Sequence, residues 1–341
     1  MQKSRKVLIT GGLGYIGSHV AAQLVEHGFD VCIVDDMSNA VDHAHSQLEK
    51  LCGRDIALDI VSVTDYVALE KAFERQKPDE VIHCAGLKSI SDSWKNPLEY
   101  YRVNVTGTVN VLRAMDHIGC ETIIFSSSAT VYGSPDYLPV DENHSIGAVN
   151  PYGRSKHMAE ELIIDWQRAQ ETNAGTGLAV ILRYYNPVGA HDSLLIGENP
   201  RGAANNLFPV ICEVVNGHRD TLDIFGDDYP TQDGSGERDY IHVMDLSLAH
   251  VKCLGSFTKP RHVVLNIGTG VSTSVTEIIR MFETEKQTTL PTRVMPRRDG
   301  DVAIILADND KSTKALGQYV FHDLQSAIAS SLAFASLPSG S

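Results

Sequence analysis

The chain has 341 residues, 43% of them hydrophobic and 21% charged, and its 29 Lys and Arg against 43 Asp and Glu leave a formal net charge of −14. An ordinary apolar fraction excludes the disordered and fibrous classes, and an acidic chain with no run of about five basic residues is a poor partner for nucleic acid. The length suits one large or two modest domains around a sizeable core.

The N-terminus is basic, but Val7-Leu8-Ile9 is too short for a signal-peptide core, and no stretch approaches the roughly eighteen apolar residues that cross a membrane. A cytoplasmic chain that engages no membrane is expected. The cysteines at 32, 52, 84, 120, 212 and 253 form no C-x-x-C pair and the histidines no H-E-x-x-H. Reduced core thiols and no metal site are expected.

The first strand, Lys6–Thr10, runs into a G-x-x-G-x-x-G spacing at Gly11, Gly14 and Gly17 that opens a helix over Gly17–His27. Glycines there let the turn be tight and bring the free N–H groups of a helix N-terminus up to a pyrophosphate. By itself the triplet is equally a plain strand-to-helix turn. The second strand, Asp30–Asp35, adds context, because it ends on an acid 21 residues after Gly14, where a carboxylate would accept hydrogen bonds from an adenosine ribose. Asp36 adjoins it and no Arg follows until Arg54, so a 2′-phosphate would meet carboxylates. NAD is favoured over NADP.

Candidate strands follow at Asp55–Asp59, Glu80–Cys84, Glu121–Ser127 and Leu178–Tyr184, separated by helical patterns at Tyr66–Arg75, Leu98–His117 and Tyr152–Gln170. Continuous Val, Ile and Leu runs alternating with helix-length segments predict a parallel sheet covered on both faces, a doubly wound α/β fold. Ser126-Ser127-Ser128 closes the fifth strand at its carboxyl end, where such sheets place ligands, although three serines also make an ordinary turn. Tyr152 and Lys156 fall on one helix face. A nearby ammonium and a positive nicotinamide would both favour the phenolate and make Tyr152 a general base. The same spacing also occurs on helix faces with no such task.

After Asn186-Pro187-Val188-Gly189 the rhythm changes, and residues 190 to 240 are rich in turn formers. Regular elements return with a helix at Val243–Leu254, a strand at Val263–Ile267 and a helix at Thr276–Thr284, and Ser336–Ser341 is expected to fray. The shift predicts a dinucleotide-binding domain over 1–188 and a smaller, interleaved α/β substrate domain over 189–341, with some segments returning to the first. Trp94 and Trp166 read as packing residues.

With both motifs on a dinucleotide fold, the chain resembles the extended short-chain dehydrogenase/reductase family. The runs TGGLGYIGSH, HCAGLKSI, NPLEYY, SSSATVYG, NPYGRSK, LRYYNPVGAH, NNLFP, IFGDDYPTQDGSGERDYIHVMDL and PRRDGD, spread from Val7 to about Asp308, look like those of its branch that epimerises UDP-hexoses. The resemblance implies a Rossmann-type first domain, tightly bound NAD, a UDP-sugar substrate and a homodimer built on the Leu98–His117 and Tyr152–Gln170 helices. It implies Ser128, Tyr152 and Lys156 as the catalytic group. Around NAD it implies Gly11, Gly14, Tyr15, Ile16, Gly17, Asp35, Asp36, Asn39, Asp59, Ile60, Cys84, Ala85, Gly86, Lys88, Asn104, Ser126 and Tyr185, joined by Tyr152 and Lys156. Around the sugar nucleotide it implies Lys88, Ser128, Tyr152, Asn186, Asn205, Asn206, Leu207, Phe225, Arg238, Arg298 and Asp301. Arg238 and Arg298 suit diphosphate oxygens and the Asn pair suits phosphate and uracil, though Asn205-Asn206 is also a plausible cap and Arg298 a plausible surface residue.

The implied reaction is inversion at C4 of UDP-galactose or UDP-glucose through a transient 4-keto sugar, with Tyr152 as base, Ser128 bridging and no net redox change. At Ile305 many family members carry Tyr, Cys or Ser beside the sugar 2-position, so acceptance of UDP-N-acetylglucosamine is the nearest alternative. A 4,6-dehydratase would need an Asp-Glu pair after Ser128, where Ala129-Thr130 stands. A non-enzymatic NAD-binding regulator could lose Tyr152 or Lys156, and both are present. An acidic chain holding two diphosphates should carry a local positive cleft at the carboxyl ends of its strands.

Overall fold

Residues 4–173, 175–202, 204–257 and 261–337 are described by a computed structural model. In chain order the strands are β1 (Lys6–Thr10), β2 (Asp30–Asp35), β3 (Ala57–Ile60), β4 (Glu80–His83), β5 (Thr122–Ser128), β6 (Leu178–Tyr184), β7 (Asn186–Val188), β8 (Leu222–Phe225), β9 (Glu237–His242), β10 (Arg261–Ile267), β11 (Ser272–Ser274), β12 (Thr292–Met295) and β13 (Ile304–Ile305). Seven of them form one parallel sheet in the order β10-β6-β5-β4-β1-β2-β3. Its apolar residues explain the two-sided cover. Val7 and Ile9 of β1 join one core cluster while Leu8 between them joins the other, so each face of the pleat is buried under its own helices. The strand order reverses between β1 and β4, and a crevice opens at such a switch point, outside the carboxyl ends of the strands.

Only Tyr185 separates β6 from β7, and that residue carries the chain from the large sheet into a second one, where β7, β11 and β13 all pair with β9. β8 and β12 pair in parallel beside it, and β10 then returns to the edge of the large sheet. A separate core under the second unit includes Phe208, Ile211, Phe282, Ile328 and Leu332.

Three elements differ from their sequence patterns. The single helix expected over Leu98–His117 is an α-turn at Pro97–Tyr100, a π-helical stretch at Tyr101–Thr106 and an α-helix at Gly107–Ile118. The wider π turn rotates Asn104 inward, where it is 2% exposed. Leu207–Val215, full of β-branched residues and holding Pro209, is a helix, and the proline sits in the first turn, where no N–H is needed. The C-terminal helix Leu324–Ala335 buries Ala327, Ile328 and Leu332. Ser336 and Leu337, expected to fray, still donate N–H bonds to the carbonyls of Leu332 and Phe334, and 338–341 lie outside the described residues. All six cysteines are free thiols, four of them buried. Among the described residues no helix is long and apolar enough to cross a membrane.

Candidate active site

The glycine loop stands at the switch point. Gly11 has φ +69°, and a Cβ added there would lie 2.7 Å from the Ala85 amide nitrogen at the end of β4. A Cβ at Gly17 would lie 2.1 Å from the Gly11 carbonyl, so the loop closes this tightly only with glycine. Gly14 caps the helix Tyr15–Glu26 with no side-chain hydrogen bond, and the first turn carries no acid. The free N–H groups and positive end of that helix therefore meet no competing carboxylate from their own turn, which is what a dinucleotide pyrophosphate requires. Asp35 ends β2 beside the loop, 8% exposed, accepting from the N–H of Leu13 at 3.0 Å and of Met37 at 2.9 Å. Burial raises its pKa, those two bonds oppose the rise, and Asp36 adds to it. The chain thus offers the fit NAD needs.

Other residues expected around NAD divide into two sets. Ala85 borders the glycine loop, while Cys84 and Gly86 border Lys156, whose Nζ lies 3.4 Å from where a Gly86 Cβ would be. Lys88 lies 6.0 Å from the Tyr15 ring centre, and Tyr15, Asn39 and Lys88 line one cleft with Gly197 and Glu198. Asn104 and Asp59 instead face protein groups. Asn104 takes the Leu87 N–H and donates to the Leu87 carbonyl and the Ser155 hydroxyl, so it shapes the 85–88 loop. The Asp59 carboxylate is bound by Arg75 and Gln76, next to Ile60, which is 68% exposed.

The helix Pro151–Thr172, which carries Tyr152 and Lys156, is capped by Asn150, accepting from the Gly153 N–H at 2.8 Å, and Pro151 occupies the first turn. Gly153 also allows close approach, since a Cβ there would lie 2.7 Å from the Thr130 carbonyl. Tyr152 is thereby held against Ser128 at the end of β5, with its ring edge-on to Tyr100 at 6.3 Å. Ser128 Oγ accepts from the Thr130 N–H and hydroxyl at 3.2 and 2.9 Å, which leaves the serine proton free to face the phenol. Burial raises the Tyr152 pKa and the bond with Ser128 pulls it down. Lys156 Nζ donates to the Ser126 carbonyl at 2.6 Å. Burial lowers its pKa to about 8, against the pull of Cys84 and Glu160.

Of the residues expected around a sugar nucleotide, Phe225, Arg238, Arg298 and Asp301 come together around β8, β9 and β13. The Arg298 guanidinium lies 4.6 Å over the Phe225 ring and donates to Asp301 at 2.9 Å, and Arg238 donates to the carbonyls of Glu237 and Ala303. Asn186 opens β7, Asn205 is exposed, and Asn206 and Leu207 begin the helix Leu207–Val215. The expected positive cleft takes a different form, because Arg298 is paired with Asp301 and Lys88 with Glu198.

Tyr185, expected near NAD, packs in a cluster with Tyr132, Val140 and Ile305. Its neighbour Tyr184 bonds to His250, and Ser126, Cys84 and Tyr152 all influence its titration. Sequence reading also passed over Tyr229, whose buried hydroxyl has no hydrogen-bond partner among the described residues and whose ring lies 4.2 Å under the Arg297 guanidinium.

The sequence profile of the NAD dependent epimerase/dehydratase family matches residues 7–268. The chain is 42% identical over 322 residues to UDP-glucose 4-epimerase of Bos taurus, covering 92% of this chain and 91% of that one. It is 41% identical over 312 residues to UDP-glucose 4-epimerase of Bacillus subtilis, covering 91% of each. Its fold is similar to the crystal structure of UDP-glucose 4-epimerase from Bifidobacterium longum in complex with NAD+ and UDP, with a TM-score of 0.92 and 39% identity over 96% of this chain and 97% of that one.

Proposed function

The chain belongs to the NAD-dependent epimerase/dehydratase family, and from that membership we propose that it inverts C4 of a UDP-hexose, interconverting UDP-galactose and UDP-glucose with NAD tightly held. The observation that carries the reading is the buried set Ser128, Tyr152 and Lys156 at the carboxyl end of β5, facing the crevice beside the glycine loop. Conversion of UDP-galactose to UDP-glucose by the purified protein and by Tyr152→Phe tests it. No turnover by the wild type overturns the enzyme reading, and an unaffected variant overturns the base.

Bound NAD supplies the hydride acceptor and donor. Within this chain, Tyr152 as phenolate takes the 4-hydroxyl proton, directly or through Ser128, and returns it in the second half of the cycle. Thr130 fixes the Ser128 oxygen for that relay. Lys156, 5% exposed, holds a positive charge one helix turn from Tyr152, where it would favour the anionic phenol. Arg238, Arg298, Asn205, Asn206, Leu207, Phe225, Asn186 and Asp301 keep the UDP in place while the keto sugar turns its other face. Gly11, Gly14, Tyr15, Ile16, Gly17, Asp35, Asp36, Asn39, Asp59, Ile60, Cys84, Ala85, Gly86, Lys88, Asn104, Ser126 and Tyr185 form the NAD side, joined by Tyr152 and Lys156.

The absence of a carboxylate at Ala129 and Thr130 favours epimerisation over 4,6-elimination. The principal sugar pair is the unacetylated one. Ile305, 7% exposed and packed in a cluster with Tyr185, is bulkier than the Cys or Ser that the resemblance puts at its position. A homodimer is supported by exposed Leu98 and Met158, 81% and 47% accessible, on the two elements expected to pair. Cytoplasmic residence and a domain division at 188/189 complete the reading.

A further inference from the structure

The cleft between the two ligand sides holds a carboxylate. Glu198 Oε1 accepts from Lys88 Nζ at 2.8 Å and from the Asn206 side-chain amide at 2.5 Å, joining the loop after β4 to the start of the helix Leu207–Val215. Lys88 stands beside Tyr15 of the glycine loop. Asn206 is the N-cap residue of its helix, yet its side chain makes no cap bond and turns to Glu198 instead. The acid is held in place. Ile196 is buried in the main core, Gly197 lies against the Phe334 ring, and the next cation, Arg201, bonds to Asp42 while its N–H donates to the Asn39 carbonyl. The Glu198 side chain is 11% exposed although nothing in an apolar core requires an acid there.

A fixed carboxylate between the sites of two diphosphates repels both, unless it serves the groups that bind them. We propose that Glu198 is a resident anion that keeps Lys88 and Asn206 in place between the two sites and gives up its hold on Lys88 to the diphosphate of the incoming sugar nucleotide. The proposal rests on the UDP-sugar reading above. It makes Glu198 a positioning residue. Exchange of one anion for another leaves the ammonium paired throughout, limits the affinity gained from Lys88, and speeds release of the nucleotide.

The test is UDP binding by calorimetry to the purified protein with its NAD in place, for wild type, Glu198→Gln, Lys88→Met and the double variant. Glutamine keeps an acceptor oxygen for Asn206 and removes the charge, so the Kd for UDP at low salt should fall about three- to tenfold. The gain should shrink at high salt and in the Lys88→Met background. An unchanged or weakened affinity in Glu198→Gln overturns the proposal, as does a gain of equal size without Lys88. A wild type that binds no UDP overturns the sugar-nucleotide reading and the proposal together, whereas tight wild-type binding with an unaltered variant overturns the proposal alone.

Discussion

Lys156 Nζ donates to the Ser126 carbonyl at 2.6 Å, while the Ser128 hydroxyl is what pulls down the pKa of Tyr152, one turn earlier on the same helix. The two members of the Tyr-x-x-x-Lys pair therefore have separate anchors on one strand end. In the proposed mechanism the lysine acts on the phenol through its charge, and burial has brought its pKa from 10.5 to about 8.

Activity should accordingly fall as pH rises through about 8, where Lys156 loses its proton. Lys156→Met should lower kcat by about 100- to 10,000-fold. Stability should move the other way. The unfolded chain binds more protons than the folded one between about 8 and 10.5, so burying this ammonium costs stability below that window and the cost is relieved as pH rises. At pH 7 the inactive variant should melt no lower than the wild type. A pH–rate profile flat beyond pH 9 (about one unit above that pKa), or a variant that melts well below the wild type, would remove this account of Lys156.

Two glycines should separate the cofactor side from the chemistry. Gly17→Ala drives a Cβ to 2.1 Å from the Gly11 carbonyl and should leave the purified protein with little NAD, measured by extraction of the cofactor. Gly153→Ala meets the Thr130 carbonyl at 2.7 Å and should move Tyr152 from Ser128, reducing kcat about 100-fold while NAD content and UDP affinity hold. Equal cofactor loss in both variants would contradict the separation.

Arg183 and Glu160 form an ion pair at 2.7 Å with side-chain exposures of 7% and 1%, and Ser127, Tyr132 and Asn266 extend it across three strand ends. Arg183→Met strands the Glu160 carboxylate and should cost about 3–5 kcal/mol in urea unfolding, whereas Arg183→Met with Glu160→Leu should recover most of it. A single variant within about 1 kcal/mol of wild type would show that the network contributes little.

The large sheet was legible because its strands are continuous apolar runs, and β1, β2 and β6 fall where the residues predict them. The nearness of Ser128 and Tyr152 was legible for a related reason, since both belong to local motifs whose geometry a strand end and one helix turn determine. What escaped depends on distance in sequence. Glu198 meets Lys88 across 110 positions, and no local pattern marks it. Tyr184 and Tyr185 are adjacent and chemically identical, yet Tyr184 meets His250 while Tyr185 packs with Tyr132 and Val140, and those partners lie far off in sequence. The π turn at Tyr101–Thr106 interrupts an amphipathic helical pattern, and what distinguishes it is the bonding of Asn104 to Leu87 and Ser155.

Four histidines should make the protein sensitive to mild acid. Burial first, aided at His83 by Lys156 and at His242 by His322, lowers His19 and His83 to about 3 and His242 and His250 to about 4. Each is neutral when folded and titrates near 6.5 when unfolded, so below that pH the unfolded chain binds more protons. Stability from this source is complete above about 6.5 and is lost as pH falls toward 4, at up to ~1.4 kcal/mol per pH unit for each histidine. Asp35, Glu142 and Asp239, raised by burial, bind protons in the folded chain and oppose the loss. They start from carboxylate values, so the interval from pH 6.5 to about 5 belongs mainly to the histidines. Urea unfolding at pH 7, 6 and 5 should give a free energy that declines with increasing slope. His250→Gln, which gives up the bonds to Tyr184 and Leu246, should start lower and decline less steeply, by about one proton's worth. A free energy that is level or rising between pH 7 and 5 would mean that these imidazoles are protonated in the folded state.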